Sequence, residues 1–120
     1  MITTRRSLFA FAAGGLIAAV APALGQVVIQ ERVMPGEKVE IIPARPHPGW
    51  FWVKGHWRWA DARGAWVWIG GHWVEHAVPA MPEVIVETPP PPPSPKFFWV
   101  RGHWVWEGNH WQWMKGHWVA

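Results

Sequence analysis

Residues 34–59 are repeated at residues 81–106, and the repeated unit is built around tryptophan. At a constant offset of 47, MPGEKVEIIPARPHPGWFWVKGHWRW lies over MPEVIVETPPPPPSPKFFWVRGHWVW with 14 of 26 positions identical. AWVWIGGHWV (65–74) then lies over HWQWMKGHWV (110–119) at an offset of 45, because the second turn is two residues shorter. Gly-His-Trp recurs four times, and all 13 tryptophans fall inside the duplication. A tandem repeat of this kind restricts the fold to two copies of one small unit.

The N-terminus reads as a targeting segment. Met1–Arg6 is short and basic, Leu8–Val20 is apolar, and Ala23-Leu24-Gly25 ends in small residues, the order of a secretory signal peptide cut before Gln26. An apolar run of about 13 residues is too short for a bilayer core that needs roughly 20, so no transmembrane span is expected in the mature chain. Thr4-Arg5-Arg6-Ser7-Leu8-Phe9 also resembles a twin-arginine export signal, leaving two export routes open. Export places the domain in the periplasm or cell envelope of a bacterium.

Charge and cysteine content narrow the partners. The formal charge is +3, but Arg5 and Arg6 leave with the signal, and nine Lys/Arg against eight Asp/Glu give +1. A dispersed, balanced charge in an exported chain argues against a nucleic-acid partner. There is no cysteine, which removes disulfides, thiolate metal sites and an N-terminal lipid anchor. A domain of this size then draws stability from aromatic packing, an oligomer or a partner.

The composition divides the chain into a signal peptide (1–25), a β-prone then Pro-rich lead (26–49), a first Trp block (50–76), a Pro-rich linker (77–96) and a second Trp block (97–120). Five consecutive prolines favour a stiff, solvated polyproline II spacer. Each Trp block reads as a β-hairpin of aromatic and β-branched residues. Glu107-Gly108-Asn109-His110 is a two-residue hairpin turn, and Asp61-Ala62-Arg63-Gly64 has the residues of a type I turn. These turns place Trp59 opposite Trp66, Trp57 opposite Trp68 and Trp52 opposite Trp73. In the second block they place Trp106 opposite Trp111, Trp104 opposite Trp113 and Trp99 opposite Trp118.

The expected fold class is all-β: two tandem Trp-rich hairpins in a small antiparallel sheet, with Pro-rich leads and an N-terminal signal helix. The hairpins are expected to pack or pair into one four-stranded sheet, with Val39–Ile42 and Val84–Val86 as candidate edge strands. Trp52 and Trp57 are five apart, so strict alternation would split them between faces. A β-bulge at each of Gly55, Gly71, Gly102 and Gly116 would return all six tryptophans of a hairpin to one face.

Trp52-x-x-Gly55-x-Trp57, Trp68-x-x-Gly71-x-Trp73, Trp99-x-x-Gly102-x-Trp104 and Trp113-x-x-Gly116-x-Trp118 resemble the Trp-x-x-Gly-x-Trp (YXWGXW) repeats of a family of small exported bacterial proteins. The family pattern often has tyrosine at the first aromatic and proline before the glycine; this chain has no tyrosine and has Lys, Gly, Arg or Lys before the glycine. Many members carry a lipoprotein cysteine and this chain has none, so lipid anchoring does not carry over. The resemblance implies export and a repeat architecture, and no particular activity.

The residues available for chemistry point away from catalysis. After the signal there is one Ser (Ser94), one Thr (Thr88), one Asp (Asp61) and one Asn (Asn109). Ser94 lies in the proline spacer, where a nucleophile and its orienting base are hard to assemble. Glu75-His76 and Glu107/His110 fall at a strand end and a turn. The expectation is no enzyme and no cofactor. His56, His72, His103 and His117 each follow a repeat glycine and are weak metal candidates, since a metal wants three or four convergent ligands. The register sets His56 against Ile69 and His72 against Val53.

The tryptophans carry the functional expectation. An aromatic row exceeding what one small core can bury suits stacking on sugars, protein hot spots or assembly. The chain reads as an exported module with a structural or binding role in the envelope, its aromatic face a candidate for polysaccharide or peptidoglycan. Self-association or a protein partner is the alternative, and His-mediated metal binding another.

Overall fold

The computed structural model describes residues 17–20 and 29–120, and the expected signal peptide lies largely outside them. Within that segment β1 (Ile17–Val20) is extended and pairs antiparallel with β2 (Ile29–Arg32), from Ile17↔Arg32 to Val20↔Ile29. The remaining strands are the duplicated blocks. The first is β3 (Phe51–Val53), β4 (His56–Ala60), β5 (Ala65–Ile69) and β6 (His72–Val74). The second is β7 (Phe98–Val100), β8 (His103–Glu107), β9 (His110–Met114) and β10 (His117–Val119). No helix occurs among the described residues.

Both turns form where their residues favour them. Gly108 and Asn109 adopt φ of 61° and 66°, the mirror-image conformation that matches the twist of a two-residue hairpin. In the first block Gly64 has φ 59°, and Arg63 N–H donates to the Ala60 carbonyl at 3.0 Å. The resulting register pairs the tryptophans as their spacing predicts: Trp52↔Trp73, Trp57↔Trp68 and Trp59↔Trp66, then Trp99↔Trp118, Trp104↔Trp113 and Trp106↔Trp111. All six pairs meet edge to face, with ring centroids 5.1 to 5.4 Å apart. Such pairs contribute about 0.5–1.5 kcal/mol each beyond their burial.

The repeat glycines do not form bulges. Val53 pairs with His72 and His56 with Ile69, so two residues drop out of the ladder on each strand and the register passes through unchanged. The second block breaks in the same way between Val100↔His117 and His103↔Met114. A bulge would set two residues against one. A matched interruption in both strands leaves each Trp pair of the first hairpin with a member against the lead: Trp66 at Arg32, Trp57 and Trp68 at Gly36 and Glu40, and Trp73 at Arg45.

Two further expectations are corrected. The leads do not add edge strands: Val39–Ile42 and Val84–Val86 are extended but join no ladder. The carboxylates of Glu40 and Glu87 in these leads accept from tryptophan and glycine N–H groups instead. Nor do the hairpins share one antiparallel sheet. β7 and β10 join β2 and β1, with β2 parallel to β7 through Glu31↔Trp99, while β3–β6, β4–β5 and β8–β9 are separate two-stranded sheets. β4 and β8 face each other. There the outward backbone N–H groups are taken by imidazoles, which leaves no ladder for the two strands to share.

Each lead ends in a turn at the same place in its repeat. Trp50 N–H donates to the His47 carbonyl at 3.1 Å and Phe97 N–H to the Ser94 carbonyl at 3.2 Å. The core sits between the repeats: Trp59, Trp66 and Val100 are buried together, with Met34, Trp57 and Val119 packed against them.

Candidate functional site

A row of tryptophans needs acceptors, because the indole N–H is a donor with no acceptor of its own. A proline-rich strand offers the complement, since proline has a carbonyl and no N–H. The two are laid against each other in both repeats. Trp57 Nε1 donates to the Gly36 carbonyl at 2.9 Å and Trp104 Nε1 to the Glu83 carbonyl at 2.9 Å. Trp66 Nε1 donates to the Arg32 carbonyl at 2.8 Å, and Trp111 Nε1 to the Pro79 carbonyl at 2.9 Å. Trp118 Nε1 reaches the Pro90 carbonyl at 3.1 Å. Its counterpart Trp73 has a buried Nε1 with no partner, and the Arg45 guanidinium lies 5.5 Å from the Trp73 ring centroid.

One carboxylate per lead closes the gap in the ladder. Glu40 accepts from Trp68 Nε1 at 2.9 Å and from Gly71 N–H at 3.0 Å. Glu87 accepts from Trp113 Nε1 at 3.0 Å and from Gly116 N–H at 3.0 Å. Sequence reasoning missed both acids because the leads read as spacers. The available signal was Val-Glu kept at 39–40 and 86–87 inside an otherwise divergent stretch.

The glycines are seats for the rings. A Cβ on Gly71 would collide with the Trp52 ring, and one on Gly55 with the Trp68 ring. Gly116 receives Trp99 and Gly102 receives Trp113 in the same manner. In each Trp-x-x-Gly-x-Trp segment the first Trp therefore covers the glycine of the facing segment, and the second pairs edge to face with that segment's first Trp. The spacing encodes a reciprocal clasp between two strands.

None of the tryptophans is fully exposed. Trp59, Trp66, Trp99 and Trp111 are buried, and the others are partly covered. The outward apolar surface belongs to the leads instead, where Val39 is 99%, Ile41 94% and Val86 92% exposed.

The histidines divide into two kinds. His56 and His103 are buried at the junction of the repeats, and each reaches the other hairpin. His56 Nε2 accepts from Trp106 N–H at 3.2 Å and His103 Nε2 from Trp59 N–H at 3.3 Å. Their Nδ1 atoms lie 2.8 and 2.9 Å from the Lys54 and Arg101 carbonyls. These partners fix the neutral tautomer with the proton on Nδ1. Burial pushes both imidazoles below their usual pKa; the Lys54 and Arg101 carbonyl bonds oppose this, and neighbouring His72, His117 and Arg58 add to it. His72 and His117 lie toward the outside, with His117 Nε2 3.3 Å from Asp61 Oδ1.

The four repeat histidines thus do not converge, and among the described residues no group of three or more His, Cys, Asp or Glu is placed to hold a metal ion. A cavity of about 280 Å³ opens at the junction, lined by Met34, Met81, His56, His103, Trp57 and Trp104. Ser94 lies in the turn before β7, while Glu75 and His76 follow β6.

No curated protein and no solved structure matches the chain. The WXXGXW repeat matches it twice, over residues 48–74 and 97–119, which are the two clasped hairpins. The chain carries the WXXGXW repeat in two copies, each one hairpin with three cross-strand tryptophan pairs and two seat glycines.

Proposed function

We propose that this chain is an exported, non-enzymatic structural module of the periplasm or cell envelope, in which the tryptophans are internal struts and the leads make the outward contacts. The observation that carries this reading is the commitment of the indoles. Eight tryptophan N–H groups are already donated within the chain, seven of them to residues 32–40 and 79–90 and the eighth, from Trp59, to Asp61. A sugar platform would keep such donors free. Extended segments with β-branched side chains facing water, by contrast, suit contact with another protein strand. The occupant is a second copy of the chain, whose two leads present the same kind of stripe.

Sedimentation velocity of the full chain tests this. Association should rise with concentration, and a variant carrying Val39→Ser, Ile41→Ser and Val86→Ser should stay monomeric with unchanged far-UV dichroism. Pelleting of a monomer with purified peptidoglycan, undiminished in that variant, would sink the reading.

A further inference from the structure

The two hairpins are held together by bonds unlike those inside either one. Within a hairpin, the ladder bonds run backbone to backbone and the Trp pairs meet ring against ring, so neither depends on a side chain's protonation. Between hairpins, the buried bonds run from the Trp106 and Trp59 backbone N–H groups to His56 and His103. We propose that the junction between the repeats is an acid-sensitive lock: protonation of His56 and His103 releases the hairpins from one another while each hairpin stays closed.

The geometry makes protonation and docking incompatible. An imidazolium has N–H on both ring nitrogens, so Nε2 would point a donor at a backbone donor. The protein offers little to compensate the charge. His56 stands edge-on to the Trp111 ring at 5.1 Å and His103 to the Trp66 ring at 4.7 Å. The charged and titratable groups acting on His56 are His72, Arg58 and Glu40, and those acting on His103 are His117, Arg58 and His56, while Glu37 and Arg101 line the cavity both rings share. Of the two anions, Glu40 is already bonded to Trp68 and Gly71, and Glu37 is paired with Lys54 at 3.0 Å.

Two exposed ion pairs also cross the junction. Arg58 meets Glu107 at 3.3 Å, and His117 meets Asp61 at 3.3 Å. Surface pairs of this kind contribute little, whereas a buried acceptor turned into a donor leaves two unsatisfied N–H groups facing each other. The buried bonds decide the outcome. Once they are lost, the apolar packing of Trp59 and Trp66 on Val100 and the single β2–β7 bridge at Glu31↔Trp99 are left to hold the repeats together beside the opposed N–H groups.

Amide exchange in the full, isotope-labelled chain tests the lock. At pH 8 the imidazoles should show the Nδ1–H tautomer, and the Trp59 and Trp106 amides should be protected. At pH 5, after correction for intrinsic rates, protection at these two amides should fall at least tenfold, while ladder amides inside the hairpins keep theirs. The double variant His56→Gln/His103→Gln supplies a non-titrating acceptor and should lose the pH dependence. Unchanged protection of Trp59 and Trp106 between pH 8 and pH 5 would overturn the lock. So would loss of every amide together, or a folded double variant with the wild-type response. Should that variant fail to fold, the tautomer and the two wild-type amides decide alone.

Discussion

Glu40 and Glu87 stand 47 residues apart and make the same two bonds, each to an indole Nε1 and to the N–H of a repeat glycine across the ladder gap. This equivalence shows that the lead is part of the repeat and not a spacer before it. It also makes the two acids a matched pair for measurement.

Glu87→Ala should destabilise the second repeat by about 1–3 kcal/mol, because it leaves Trp113 Nε1 and Gly116 N–H without an acceptor in a partly buried setting. Glu40→Ala should cost less, since its bonds lie at an exposed position where water can replace the carboxylate. Urea unfolding of the two variants checks the order. Equal and negligible losses would show that the carboxylates decorate the clasp without closing it.

Gly71→Ala and Gly102→Ala should each cost about 1–3 kcal/mol, the range for overpacking a filled site. The added methyl meets the Trp52 or Trp113 ring and the Glu40 or Glu87 carboxylate. Gly36→Ala and Gly49→Ala, where a Cβ meets nothing within 4 Å, serve as controls and should be close to neutral. Thermal midpoints of the four variants distinguish a packing requirement from a general intolerance of alanine.

Asn109→Gly should leave the second hairpin intact or firmer, and Asn109→Ala should weaken it by roughly 1–2 kcal/mol. The reason is its φ of 66°, which asparagine tolerates and alanine does not. Near-UV dichroism of the Trp106–Trp111 pair next to the turn reports the change.

Overall stability should decline as pH falls below about 6.5. Burial lowers the pKa of His56 and His103 in the folded chain, so below 6.5 the unfolded chain takes up protons that the folded one refuses. Above that pH both forms are neutral at these sites and their contribution is flat. The loss continues down to the lowered folded pKa and then levels. Urea midpoints between pH 8 and pH 5 measure the slope, and a flat profile would show that neither ring stays neutral on folding.

The hairpins were legible because their information is local. Turn residues such as Gly108-Asn109 and the two-residue alternation fix which Trp meets which, and nothing distant is needed. The one-sided display of the tryptophans was also legible, but its device was not. Gly55 suggests a bulge only when one strand is read alone; the facing Gly70-Gly71 shows that both strands break together. The leads were misread for a similar reason. Polyproline has no N–H to donate and so looks solvated, yet Pro90 in that run, like Arg32, Gly36, Pro79 and Glu83 elsewhere in the leads, gives its carbonyl to an indole. The swap of His56 and His103 joins residues 50 and 44 positions apart, and no spacing rule announces it.

The clasp runs in one direction along the chain: each lead precedes the hairpin it covers. During synthesis the acceptor strip emerges first and waits, and the hairpin that follows has only its own turn to nucleate before finding it. The clasp of the first repeat can thus close while the second is still unmade. The exchange of imidazoles and the burial of Trp59 and Trp66 against Val100 must wait for the second repeat, so a truncated product would keep its clasp and leave that face bare.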